Sequence, residues 1–282
     1  MSDLSMLNPG RILVCQQRQI GDVLLSTPVF ELLKKRFPEA ELHLFTEKKC
    51  EPLLRHNPFI DEFHLIDRKD GFFRQLAFYR KVAACRFDVV IDLQQLPRCR
   101  MMSLMSRAPV RLSFPASVLS GLIYNRLVTP KDGYASETKA SLLAPFGILW
   151  HKEGPRIFLT DEERSQAGAV LAGCGLRPGD RLIAIDSTHR RSSKRWPAER
   201  FARLMSLLKK EDASFRFLLL RGPGEEADIA ALRALCLGLG MKPEDLLAPE
   251  PLPDIRLSAA CLNVAELLIG NCSSPRHMAA AL

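Results

Sequence analysis

The chain reads as an α/β protein made of two parallel-sheet units, and three observations predict it. Short apolar runs bounded by turns alternate with amphipathic helical stretches. The runs are apolar almost continuously, as strands covered on both faces must be. After a mixed region near the middle, the same alternation begins again.

Taken in order, RILVCQ (11–16) is the first strand, and one helix is predicted over 21–37. ELHLFTE (41–47) follows the turn at Pro38, and EFHLID (62–67) follows the turn HNPFID. FFRQLAFYRKVAAC (72–85) has helical periodicity, and DVVIDLQ (88–94) is a buried strand. VRLSF (110–114) and IYNRLV (123–128) supply two further strands, and a helix is predicted around SETKASLLAPFGI in the mixed region 129–160. The second series opens on a helix over 160–175, started by the capping box Thr160-x-x-Glu163 and closed near Gly173 or Gly175. RLIAIDST (181–188), a helix from Pro197 to Lys210, FRFLLLRG (215–222), a helix from Glu225 to near Leu237, AELLIGN (265–271) and a last helix in SPRHMAAAL complete it. Domains are predicted at 1–155 and 156–282.

Composition excludes several classes. Of 282 residues, 47% are apolar and 26% charged, a globular balance. No apolar run reaches the length of a membrane span, and MSDLSMLNPG lacks the core of a signal peptide, so a cytoplasmic protein is expected. The eight cysteines are scattered singly without a CxxC pair, which argues against a zinc site or a disulfide scaffold. Net charge is +8, and it is uneven: residues 1–150 carry 21 Lys/Arg against 15 Asp/Glu, residues 151–282 carry 19 against 17. A basic first half suits an anionic partner. With no helix-turn-helix and no aromatic-basic RNA signature, that partner is not expected to be nucleic acid.

Four stretches stand at strand exits, where ligands of open parallel sheets bind. In IGDVLLSTP, Asp22 falls in the first turn of a helix, where the dipole favours its charge. A cap and a general base are both open readings of it. In DSTHRRSSKRWPAERF, the hydroxyls of Ser187 and Thr188 and the cation Lys194 suit a phosphate, although a solvated loop would look the same. In LLLRGPGEEAD, Glu225 is either a helix-start charge or an acceptor for ribose hydroxyls. In IGNCSSPRHMAAAL, Ser273 and Ser274 begin a helix whose N–H groups can face a phosphate. Neither GxxxxGK[ST] nor GxGxxG occurs.

Together these stretches resemble the bacterial heptosyltransferases, glycosyltransferase family 9, which build the inner core of lipopolysaccharide. The likeness lies in RILVCQQRQIGDVLLSTPVFELLKKRFPEAELHLFT, HNPFIDEFHLID, SSKRWPAERFARL, RGPGEE and IGNCSSPRHMAAAL, in that order along the chain. It implies a GT-B type fold, two Rossmann-like domains facing across a cleft, the first for the acceptor and the second for a nucleotide sugar. It further implies inverting, metal-independent transfer of a heptose-like sugar from an ADP-heptose-like donor, with no cofactor. The acceptor would be an anionic lipopolysaccharide precursor, with peripheral contact at the inner face of the inner membrane. By the same resemblance Asp22 is the general base, Lys194 lies near the donor phosphates with Ser187 and Thr188, and Glu225 holds the ribose. Ser273 and Ser274 form the nest around the diphosphate, and His277 is the motif's histidine.

Two departures qualify the carry-over. Where the family has Asp-Ser/Thr-Gly, this chain has Cys272-Ser273-Ser274. The chain also stops at Leu282, where the family continues with another strand and helices, so a second domain lacking its terminal elements is expected. These departures keep an alternative in view, a non-catalytic relative that binds a glycan acceptor or a partner without transfer.

Overall fold

The computed structural model describes residues 4–116, 120–189 and 191–282, apart from the side chains of Ser192 and Ser273. The chain divides into two compact units, Met1–Phe158 and Leu159–Ala280, with Ala281 grouped in the first and Leu282 in the second.

In the first unit six strands form one sheet: β1 (Arg11–Cys15), β2 (Glu41–Glu47), β3 (Glu62–Ile66), β4 (Val89–Asp92), β5 (Val110–Ser113) and β6 (Arg126–Leu127). Their order is β3-β2-β1-β4-β5-β6, and every pair is parallel. The order reverses between β1 and β4, so the exits of those two strands flank the crevice where such sheets bind ligands. Ile12, Leu13, Val14, Val89, Val90 and Ile91 are fully buried, as near-continuous apolar strands require.

The single helix expected over 21–37 is two, α1 (Ile20–Leu24) and α2 (Thr27–Arg36). Pro28 has no N–H to continue the ladder. Instead Ser26 Oγ donates to the Val23 carbonyl at 2.6 Å and Thr27 Oγ1 donates to the Leu24 carbonyl at 2.8 Å. The other connections are α3 (Phe72–Ala83), α4 (Pro97–Ser106), the short α5 (Ser120–Ile123) and α6 (Ala135–Ala140), which runs into a 3₁₀ stretch at Ser141–Phe146. The strand expected over 123–128 shrinks to the two residues of β6, because its first residue closes α5.

In the second unit α7 (Asp161–Gly173) starts on the expected capping box: Thr160 Oγ1 accepts the Glu163 N–H at 3.2 Å and Glu163 accepts the Thr160 N–H at 2.9 Å. Then come β7 (Arg181–Asp186), α8 (Ala198–Glu211), β8 (Phe215–Leu219), α9 (Glu226–Gly238), β9 (Leu246–Leu247), α10 (Ile255–Leu262), β10 (Leu267–Gly270) and α11 (Ser273–Ala279). The sheet is parallel throughout, in the order β10-β7-β8-β9. Its core packs Ile183, Ile185, Phe217 and Leu219 against Phe201, Met205 and Leu232 of α8 and α9. The elements β9 and α10 carry no expectation from sequence. Leu246 and Leu247 are too few to show a period, and α10 is buried on most of its surface.

All eight cysteines are free thiols, five of them buried. Among the described residues, no helix is long and apolar enough to cross a membrane.

Candidate active site

At the exit of β1, residues 16–19 form a tight loop whose backbone is held from the turn after β4. Gln94 Oε1 accepts the N–H groups of Gln17 and Arg18 at 3.1 and 3.0 Å. The loop delivers Asp22 to the first turn of α1, where it is exposed and its Oδ2 accepts the Gln19 N–H at 3.3 Å. Asp22 therefore does cap, and one carboxylate oxygen remains free of that bond.

Two charged groups near Asp22 carry no expectation from sequence. Asp92, the last residue of β4, is fully buried; it accepts the N–H groups of Gln94 and Gln95 at 2.9 and 2.8 Å and the Tyr124 hydroxyl. Burial pushes its pKa up, and those three donors oppose the shift. Lys139, on α6, donates to Gln16 Oε1 at 2.6 Å. Burial lowers its ammonium to about 8, against the attraction of Asp22 and then Asp92. A signal was present: Lys139 stands in the buried stripe Ser136, Ala140, Leu143, where an apolar residue is the norm.

In the second unit a cavity of about 780 Å³ opens at the carboxyl ends of β7, β8 and β10. Asp186 ends β7 at 3% exposure, and its Oδ2 accepts the Cys272 N–H at 2.7 Å. Its pKa is raised to about 6, first by burial and then by Glu225, while the Cys272 N–H pulls it down. Gly270 makes room for this carboxylate, since a Cβ there would stand 2.6 Å from the Asp186 Cβ. Glu225 caps the turn before α9: its Oε2 accepts the Gly222 N–H at 2.7 Å and the Thr188 hydroxyl at 2.8 Å. Arg221, its side chain 7% exposed, is paired with Glu226 at 2.9 Å and Glu250 at 2.6 Å.

Of the residues singled out by sequence, Thr188, Glu225 and Ser274 line this cavity, together with Cys272. Ser187, Lys194 and His277 stand outside the described lining. The Ser187 carbonyl accepts Asn271 Nδ2 at 2.9 Å, and Lys194 is an exposed residue closing a 3₁₀ turn over Ser192–Lys194. His277 lies on α11. The side chain of Ser273 lies outside the described residues, and so does Arg190. Asp186 and Arg221 are among the cavity residues that sequence reasoning passed over, as are Asp254 and Ser258. Asp186 was visible as a carboxylate closing an apolar strand, RLIAID, in the same position as Asp92 in VVID. Among the described residues, no group of three or more His, Cys, Asp or Glu is placed to hold a metal ion.

The model of glycosyltransferase family 9 (heptosyltransferase) matches residues 75–282. Lipopolysaccharide heptosyltransferase 3 of Escherichia coli K12 is 26% identical over 280 residues, covering 94% of this chain and 78% of that protein. A glycosyl transferase family 9 structure from Veillonella parvula superposes with a TM-score of 0.83 at 25% identity, over 97% of this chain and 78% of that one. The E. coli heptosyltransferase WaaC, solved with ADP-2-deoxy-2-fluoro heptose, superposes with a TM-score of 0.73 at 19% identity, over 96% and 85%. Two parallel α/β units are the make-up of a GT-B type glycosyltransferase.

Proposed function

The chain belongs to glycosyltransferase family 9, the heptosyltransferases, and from this premise we propose that it moves a heptose-like sugar from ADP-heptose to a lipopolysaccharide core acceptor with inversion at the anomeric carbon. The observation that carries the reading is Asp22: an exposed carboxylate, held by a cap at the switch point of a parallel sheet, with one oxygen unspent.

In this reading Asp22 takes the proton of an acceptor hydroxyl as that oxygen bonds to the anomeric carbon and the bond from that carbon to the diphosphate breaks. The electron pair leaves with the nucleoside diphosphate. Lys139, whose ammonium feels the attraction of Asp22, brings a positive charge to this end of the sheet, which suits an anionic acceptor. In this reading the 780 Å³ cavity takes the nucleotide, Glu225 accepting from the ribose hydroxyls and Thr188 and the start of α11 meeting phosphate. Lys194 would supply the charge that offsets the leaving diphosphate, in place of a metal. The acceptor is lipid-linked, which puts the work at the cytoplasmic face of the inner membrane.

The test is transfer from ADP-heptose to lipopolysaccharide stripped of heptose, with and without EDTA, beside calorimetry of ADP. Transfer insensitive to EDTA is expected. ADP affinity is expected to rise as pH falls through about 6, because protonating Asp186 removes a negative charge from the cavity wall. A folded protein that neither transfers nor binds ADP at millimolar concentration would replace this reading with that of a non-catalytic relative.

A further inference from the structure

Phe72 and Phe73 open α3 and are 73% and 83% exposed, their rings in an edge-to-face pair with centroids 5.7 Å apart. Phe72 is in helical register with Tyr79, which is buried, so a core position is available to it by period alone. The apolar cluster that covers Tyr79 and Val82 takes in neither Phe72 nor Phe73. Single exposed apolar residues are ordinary, but two adjacent phenylalanines at a helix tip are costly to leave in water.

The surroundings are basic. Residues 68–86 hold six cations, Arg68, Lys69, Arg74, Arg80, Lys81 and Arg86, and a single acid, Asp70. Arg68 and Arg74, which flank the two rings, are engaged only loosely, with Glu47 at 3.6 Å and Asp70 at 3.9 Å. Arg68, Lys69, Arg74, Arg80, Lys81 and Arg86 are all exposed. Aromatic rings bounded by exposed cations match the interface of a bilayer with anionic headgroups, where rings enter the acyl boundary and cations stay with the phosphates.

The topology gives this tip a use. α3 follows β3, so its first turn stands at the carboxyl edge of the sheet, the edge that also carries Asp22 after β1. The two exits are two strand spacings apart, roughly 10 Å across the sheet. We propose that Phe72 and Phe73, with Arg68, Lys69 and Arg74, form a membrane-insertion tip for anionic phospholipid. It sets the carboxyl edge of the first unit at the bilayer, so that a lipid-linked acceptor reaches Asp22 without leaving the membrane. The inference rests on the acceptor proposed above, but its test needs no sugar transfer, so the two can fail separately.

The full chain would be sedimented with vesicles of phosphatidylcholine alone and of phosphatidylcholine with phosphatidylglycerol. The wild type is expected to bind the anionic vesicles, weakly the neutral ones, and less as salt rises. The double variant Phe72→Ser, Phe73→Ser is expected to lose about tenfold or more in partitioning, at an unchanged melting temperature. Arg74→Gln is expected to weaken binding to anionic vesicles only. Equal binding by wild type and double variant overturns the proposal. So does an absence of vesicle binding accompanied by a dimer that the double variant converts to monomer, since the rings would then meet a second copy of the chain.

Discussion

Asp22 serves two purposes with one carboxylate, and the two can be separated by one atom. As a cap it needs an oxygen for the Gln19 N–H, which asparagine also offers; as a base it needs a site for a proton, which asparagine lacks. Asp22→Asn is therefore expected to change stability by less than about 0.5 kcal/mol while slowing transfer by about 10²–10⁴. Thermal melts and a transfer assay on the same preparation check it, and transfer within a few-fold of wild type would remove Asp22 as the base. Cys272 shows a different economy. Asp186 brings a carboxylate to the Cys272 amide from the neighbouring strand. That contact spans 86 positions of sequence, so only the pairing of β10 with β7 makes it visible.

At the scale of elements, the pairing of β2 with the edge strand β3 is sensitive to acid. His43 and His64 lie on neighbouring strands with rings stacked at 5.2 Å and Nδ1 to Nε2 at 3.0 Å, a contact that needs one nitrogen without a proton. His64 is depressed to about 4, chiefly by burial and then by the charges of His43 and Lys81. A depressed histidine means that the unfolded chain binds more protons between about 6.5 and 4. The stability it contributes is thus complete above about 6.5 and lost as pH falls through 4. His64→Gln is expected to flatten the fall of melting temperature over that window. A wild-type slope unchanged in the variant would mean that other groups set the acid limit. The break between α1 and α2 belongs to this scale too. The apolar period runs straight through residues 21–37, while Pro28 and the hydroxyl bonds of Ser26 and Thr27 set the step.

At the scale of the molecule, each unit has its own sheet and its own buried clusters. A nucleotide held at the carboxyl ends of β7, β8 and β10 stabilises the native state by mass action, about 2.7 kcal/mol at a hundred-fold excess over Kd. Hydrogen exchange with saturating ADP is expected to slow first at the amides of residues 186–188, 222–226 and 270–275. Protection confined to β1–β6 instead would place the nucleotide in the first unit and exchange the proposed roles of the two. The uneven charge reads at this scale as well. The excess of cations in residues 1–150 is concentrated between 68 and 86, on and beside the helix whose tip carries the two exposed rings.

The sequence by itself determined the α/β class, the alternation of strands and helices, the capping box at Thr160, and the strand-exit position of Asp22. These are local facts, set by period, by turn residues and by hydroxyl or carboxylate groups within one helical turn of their partners. The tertiary structure alone decided which exits share a cavity. Thr188, Glu225, Cys272 and Ser274 line the same cavity because β7, β8 and β10 are neighbours, while Lys194 and His277 stand outside the described lining. It alone also buried Asp92 and Asp186 and half-buried Lys139, since burial of a charge depends on what covers it from elsewhere in the chain. Strand order and solvent exclusion are properties of contacts between distant residues, and no local pattern encodes them.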